Sequence, residues 1–443
     1  MTGAGAFPWP DGRAPAAPAA AQPARTGLKL PSLDFLVAVA VVVMFSGCWI
    51  VFVIGPQGDA SAGVIVMALH APAYLAALFL LSRRPGRAVR AALGTPLLWL
   101  LILLVGASTL WSVNPGVTER RFLALVFTTL AGAALAARFD WAELSEVLGA
   151  SFAFLILLSI AMAVALPTWG RMTTEFPGAW RGPWPDKNAL GGHMAKGFVL
   201  LIAAAVLNPT RRPLWALASL GALFLMLASG SKTALVTAFM GAGALGFVFL
   251  VRRGGPPAVL AVFGGVTGLA ALAFVGVFAR EQAFGVLGKD ATLTGRTAIW
   301  GAAELEIAKQ PWLGYGYQSV WATDDRWTPL GWIVKHAKFR AYHAHNSWID
   351  TALGLGRVGL AAWGAVFVEF WLRSLWAVGT SRGAWLALPF LVIYSVQSLT
   401  ESIAYIYNDF TWVIFVALLT RLALPRAAGD GGRDGRAAAA PAP

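Results

Sequence analysis

Residues 147–166 read VLGASFAFLILLSIAMAVAL, an unbroken run with no charged side chain. A bilayer core about 30 Å thick needs about 20 such residues, because a helix rises about 1.5 Å per residue. The short alternating segments of a membrane barrel are absent, so the crossing element is a helix. Comparable runs lie before it at 33–54, 62–81, 93–110 and 121–137, and after it at 189–207, 213–229, 233–251, 257–279, 347–372, 384–401 and 409–424. These runs predict an all-α, polytopic integral membrane protein with about 12 transmembrane helices.

The composition agrees. The chain has 443 residues, 58% hydrophobic and 12% charged, with a mean hydropathy of +0.67, whereas soluble domains are about 25% charged. The single cysteine, Cys48, excludes an internal disulfide or a cysteine metal site and reads as a small packed hydrophobe. Residues 1–32 and 425–443 are rich in Ala, Pro and Gly and read as disordered tails. The first apolar run begins near Leu33, too late for a cleavable leader, and reads as an uncleaved first span. Between the tails the chain divides into 33–279 with helices 1–9, a polar segment 280–346, and 347–424 with helices 10–12.

A formal net charge of +13 does not imply nucleic acid here, because in a membrane chain the placement of Lys and Arg carries the meaning. With the N-terminus in the cytoplasm, Arg83, Arg84, Arg87, Arg90, Arg138, Arg211, Arg212, Arg252, Arg253, Arg373 and Arg382 all fall inside, as the positive-inside rule requires. Both tails are then cytoplasmic, and 280–346 becomes one large outer loop between helices 9 and 10. Within it Thr297 to Lys309 has helical patterning, stopped by Pro311. Its aromatics, among them Trp312, Tyr315, Tyr317, Trp321, Trp327 and Tyr342, suit either the membrane interface or sugar stacking. Several outer joints carry cations against the trend: Arg120, Arg121, Arg171, Arg181, Lys232 and Arg296. Basic residues at such places are paired, snorkelling or functional, and together they point to an anionic ligand on the outer face.

The densest polar group is His343-Ala344-His345-Asn346-Ser347-Trp348, followed by Gly354, Gly356, Arg357 and Gly359. A histidine at a membrane surface can take a proton from a hydroxyl near neutral pH. On chemistry alone, His345 reads more readily as an interfacial or structural residue. His343 and His345 lie two apart, near His336, and neither they nor Asp324, Asp325 and Asp350 fall in a metal-binding register, so no metal is expected. No phosphate-binding G-x-x-x-x-G-K-[ST] loop is present, which disfavours nucleotide hydrolysis. Glycosyl transfer from a lipid pyrophosphate would need only cations to hold the leaving group and a base to activate the acceptor.

His345-Asn346, nine residues, Gly356, two residues and Gly359 resemble the pattern of the O-antigen ligase and Wzy-type polymerase superfamily. Further segments are similar, in the family's order: Trp111 to Pro115, Asp186-Lys187-Asn188 with Gly191, Ser229 to Thr233, Thr294-Gly295-Arg296-Thr297, and Pro311 to Gly316. The resemblance implies a metal- and cofactor-independent transfer of glycan from undecaprenyl pyrophosphate at the periplasmic face of a bacterial inner membrane. It makes His345 the base and Arg296 a pyrophosphate ligand. Lys232 stands where many members have arginine, keeping the charge without the bidentate fork, and looks like the exopolysaccharide-polymerase branch. Arg181, Lys187, Arg120, Arg121, Asn346 and His343 are further substrate-binding candidates, and Gly356 and Gly359 are the motif glycines. Flippase and chain-length-regulator proteins are candidate partners beside the lipid bilayer.

A polymerase joining lipid-linked repeat units is the leading expectation. A ligase moving finished glycan to lipid A core would need the same grip and base. A lipid-linked oligosaccharide flippase would instead place charges within its spans, where His70 and Glu369 are among the few apparent here.

Overall fold

The computed structural model describes residues 31–55, 63–278, 296–322, 327–338 and 340–425. The two tails, the start of the outer loop with Thr294 and Gly295, and Asp324 and Asp325 lie outside the described residues. Among those described, the protein is helical, and the only pairing of strand type is an isolated bridge between Arg171 and Trp180.

The first half contains α1 (Leu33–Phe45), α2 (Ile50–Ile54), α3 (Gly63–Ala68), α4 (Ala71–Ser82), α5 (Pro85–Leu93) and α6 (Pro96–Ala107). It continues with α7 (Pro115–Arg138), α8 (Trp141–Ala165), α9 (Pro167–Gly170) and α10 (Lys187–Leu207). Then follow α11 (Arg212–Ser229), α12 (Lys232–Arg253) and α13 (Gly255–Phe278). The outer loop contributes α14 (Arg296–Lys309) and α15 (Pro329–Ala337), and the chain closes with α16 (Ser347–Thr380), α17 (Ala384–Thr400) and α18 (Phe410–Ala423).

Seven helical stretches are long and apolar enough to cross a membrane. The α5–α6 pair forms a further candidate bent by 82°, where Pro96 starts a new helix after Gly94 and Thr95. Shorter apolar helices run at Leu33–Phe45, Gly255–Gly268, Ala384–Thr400 and Phe410–Ala423. The chain is thus an all-α polytopic membrane protein.

Helices approach closely where side chains are small, the usual way to gain packing without a hydrophobic driving force in lipid. A Cβ on Gly132 of α7 would lie 2.6 Å from the Val413 carbonyl oxygen of α18. One on Gly191 would lie 2.8 Å from the Ser231 side chain, so α10 and the start of α12 nearly touch. The α10 helix is the most enclosed of the long spans, with 72% of its apolar window buried.

Helix α16 is broken at Gly356, whose φ of 61° and ψ of −157° are accessible to glycine alone. The freed backbone groups are taken by the segment after α14: Arg357 N–H donates to the Pro311 carbonyl (2.9 Å) and Val358 N–H to that of Trp312 (3.2 Å). In return Tyr315 N–H donates to the Leu353 carbonyl (3.0 Å) and Gly316 N–H to that of Gly354 (2.8 Å). The loop before α7 joins them, with Val113 N–H donating to the Tyr315 carbonyl at 2.9 Å and Trp111 Nε1–H to the Leu313 carbonyl at 2.9 Å. Three separate sequence motifs therefore interlock through main-chain bonds at the outer-loop end of the bundle. The loop aromatics divide accordingly: Tyr315, Tyr317 and Trp321 are buried, while Trp312, Trp327 and Tyr342 stay exposed.

Candidate active site

An open cavity of about 860 Å³ lies where the start of α10, the start of α12, the end of α17 and the outer loop converge. Two of the helix starts beside it carry side-chain caps. Asp186 caps α10, accepting from Asn188 N–H (2.7 Å) and Ala189 N–H (3.0 Å). Asn346 caps α16 in the same way, accepting from Trp348 N–H (2.9 Å) and Ile349 N–H (3.3 Å). Ser231 Oγ, just before α12, donates to Asn188 Oδ1 at 3.1 Å and ties two walls of the cavity together.

Glu401, the first residue past α17, organises the chemistry. Its Oε2 lies 3.1 Å from His345 Nδ1, and its Oε1 lies 3.0 Å from Arg296 Nη2. Arg296 also donates through Nη1 to the Thr400 carbonyl. Burial alone would raise the Glu401 carboxyl, but the bond from His345 and the charge of Arg296 outweigh it and hold it below the usual glutamate value. With Nδ1–H of His345 given to this carboxylate, the basic lone pair is left on Nε2. The ring of His343 stacks 3.9 Å from that of His345, centroid to centroid. Burial, with the neighbouring His345 and Arg296, pushes His343 down to about 4, so it stays neutral and its Nδ1 accepts from the His345 backbone N–H at 3.3 Å.

The backbone on either side of this group is stitched in place. Asp350, partly buried in α16, accepts from Trp321 Nε1–H (2.8 Å), from Ala344 N–H (3.2 Å) and from the Ser402 hydroxyl. Ser347 Oγ donates to the Glu401 carbonyl at 2.9 Å and accepts from Ile403 N–H at 2.9 Å. Trp300 Nε1–H, from α14, donates to the Ala344 carbonyl at 2.8 Å. His345 itself has a φ of 52°, a left-handed conformation that this network imposes.

The expected site residues do not all share one place. Arg296, His343 and His345 line the cavity. Lys232 sits between the lining residues Ser231 and Thr233, and Lys187 follows the lining Asp186, its ammonium 3.7 Å above the Phe176 ring. Asn346 caps a helix, and Gly356 and Gly359 shape backbone rather than face the cavity. Arg181 is buried, and its guanidinium donates to the carbonyls of Trp169 (2.9 Å), Thr168 (3.2 Å) and Pro185 (3.3 Å), so it holds the loop before α10. Arg121 donates to the Gln318 carbonyl and lies over the Tyr407 ring, while Arg120 is exposed away from the cavity. Among the described residues no group of histidines, cysteines and carboxylates is arranged to hold a metal ion.

Glu401, Asp350, Lys196, His193 and Gln397 were not anticipated as site residues. The readable signals were a carboxylate at the end of the apolar run 384–401 and a lysine within the run 189–207, since ionisable groups in spans are costly unless functional or paired. Lys196 adds to the few ionisable groups within spans, beside His70 and Glu369. His70 and Glu369, by contrast, are locally satisfied: His70 Nδ1 bonds the Val66 carbonyl at 2.8 Å, and Glu369 pairs with Arg373 at 2.7 Å.

Residues 197–364 match the sequence family described as O-antigen ligase. That match contains Lys232, Arg296, His345, Gly356 and Gly359, while Lys196 and Glu401 fall outside it. Over 295 residues the chain is 27% identical to the exopolysaccharide production protein ExoQ of Rhizobium meliloti (strain 1021). The match covers 63% of this chain and 65% of that protein, just under two thirds of its length.

Proposed function

We propose that this chain, whose residues 197–364 match the O-antigen ligase family, polymerises undecaprenyl-pyrophosphate-linked repeat units into exopolysaccharide or O-antigen. The observation that carries the reading is Glu401 bridging His345 and Arg296 at one cavity, a base and a cation held by a common carboxylate. A hydroxyl of one glycan attacks the anomeric carbon of the other. The bond from that carbon to the pyrophosphate oxygen breaks, its electron pair leaves with the lipid pyrophosphate, and the hydroxyl proton passes to His345 Nε2. Glu401 keeps the imidazole oriented and offsets its charge once protonated. Arg296 has five N–H donors in a fixed fork, and those not engaged by Glu401 and Thr400 suit phosphate oxygens. Lys187 and Lys232 at the rim add positive charge without a metal ion.

The reading places the protein in a bacterial inner membrane with both termini cytoplasmic and the cavity periplasmic, an orientation that the Lys and Arg distribution supports. A ligase acting on lipid A core would use the same base and the same donor grip, and the family description supports it. The likeness to an exopolysaccharide production protein and the lysine at position 232 support the polymerase.

The test is a gel comparison of surface glycans from cells lacking the protein and from the same cells carrying His345→Ala. Loss of the long ladder, with single repeats still reaching an acceptor, is the polymerase outcome. Full-length polymer stranded on the lipid carrier identifies a ligase. Wild-type glycan from the His345→Ala cells would refute His345 as the base.

A further inference from the structure

The floor of the cavity is polar well inside the helical bundle. Lys196 lies ten residues into α10 from its cap Asp186, about 15 Å deeper at the helical rise. It is 2% exposed and lines the cavity that holds His345, Glu401 and Arg296. A buried ammonium normally needs a carboxylate against it. Here its Nζ donates to a neutral acceptor, Gln397 Oε1, at 2.9 Å, while Asp409 and Glu401 favour its charge from a distance, with no direct ion pair to either among the described residues. The Gln397 amide is itself oriented by donating Nε2–H to the Gly192 carbonyl at 3.2 Å. One turn above Lys196, His193 also lines the cavity, and its buried Nδ1 has no hydrogen-bond partner. Glu401 has committed both oxygens to His345 and Arg296, and Asp409 accepts from the N–H groups of Thr411 and Trp412.

We propose that Lys196, with His193 beside it, forms an anion-binding subsite at the cavity floor that takes a phosphate oxygen of a polyprenyl pyrophosphate. The ammonium exchanges its bond to Gln397 for a phosphate oxygen, and His193 Nδ1–H supplies a second donor. The depth of Lys196 suits a phosphate whose attached chain is already in hydrocarbon. Arg296, engaged by Glu401, then acts at the reacting end, while Lys196 secures the leaving group and governs donor affinity rather than proton transfer. Lys196 is a binding residue on this account and His345 remains the base. The inference rests on the donor assigned above.

The test measures binding of undecaprenyl pyrophosphate, and of undecaprenol as the uncharged control, to the full-length protein in nanodiscs. Lys196→Met is expected to weaken pyrophosphate binding by about tenfold or more, the scale of a hydrogen bond to a charged group, with undecaprenol unaffected. Gln397→Glu keeps the shape of the site and gives Lys196 a fixed counter-ion, so it should weaken pyrophosphate binding comparably in a folded protein. Wild-type affinity for pyrophosphate in Lys196→Met or Gln397→Glu overturns the subsite alone, as does an equal loss of undecaprenol binding. Failure of the wild-type protein to prefer pyrophosphate over undecaprenol overturns the donor assignment and the subsite with it.

Discussion

His345 Nδ1 and Glu401 Oε2 stand 3.1 Å apart although 56 residues separate them in the chain. The contact gives the imidazole a fixed orientation and directs its basic nitrogen away from the carboxylate. Replacing Glu401 by Gln keeps the shape and removes the charge that stabilises a protonated His345. Turnover should fall on the order of 10²- to 10⁴-fold, the usual contribution of a positioned base, with the fold intact. In vitro glycan transfer with purified protein and lipid-linked donor measures this, and turnover within a few-fold of wild type would remove Glu401 from the mechanism.

The acid side of the stability profile follows from the same cluster. His343 is depressed from an ordinary 6.5 to about 4, and Glu401 is held below its ordinary value. For both groups the unfolded chain binds protons more readily than the folded one. Their contribution to stability is therefore complete above about pH 6.5 and lost as the pH falls toward 4. The unfolding temperature of detergent-solubilised protein should drop across that window, and His343→Gln should flatten the drop. A profile unchanged by His343→Gln would show that His343 does not titrate in this way.

Gly356 cannot be replaced without moving the loop beneath it. A Cβ there would lie 2.3 Å from the Trp312 carbonyl carbon and oxygen, and its φ of 61° is costly for any other residue. Gly356→Ala should destabilise the protein by about 2–5 kcal/mol, summing a left-handed backbone and overpacking. Faster proteolysis of the outer loop in membrane vesicles is the expected signature, and wild-type resistance would count against the interlocked loops.

Asp350 touches neither the cavity floor nor the reacting nitrogen, yet it fastens the backbone beside both His345 and Glu401. Asp350→Ala leaves Trp321 Nε1–H, Ala344 N–H and the Ser402 hydroxyl without their acceptor, at about 1–3 kcal/mol for each buried donor left unpaired. Both the melting temperature and turnover should fall. Turnover should recover more in Asp350→Asn, which keeps an acceptor, than in Asp350→Ala, and equal activity of the two would make the role one of packing only.

Arg181 is a candidate ligand by sequence, but three carbonyls of its own loop occupy it. Arg181→Lys should lower thermal stability, because a single ammonium cannot satisfy carbonyls spread around a guanidinium. Affinity for undecaprenyl pyrophosphate should hold. A selective loss of donor binding at unchanged stability would restore it to the binding site.

What the chain reveals locally is the membrane and the helices. Hydrocarbon length, proline and glycine punctuation and charge distribution act over tens of consecutive residues, so the run 189–207 marks α10 to within two positions, while 147–166 finds the end of α8 and misses its first turn and a half. Capping is equally local, which is why Asp186 and Asn346 sit at helix starts. The spacing of family motifs singled out His345, Arg296 and Lys232, and the first two line one cavity. Tertiary structure decided the partnerships. Glu401 reaches His345 from beyond α17, Lys196 meets Gln397 across 201 residues, and Gly356 meets Trp312 because one helix breaks to receive a loop. Arg181 and Arg296 are both outer-face arginines in the sequence, yet one binds carbonyls of its own loop and the other the Glu401 carboxylate. Only packing distinguishes them, because the energy of a buried charge depends on which groups surround it and not on its neighbours in the chain.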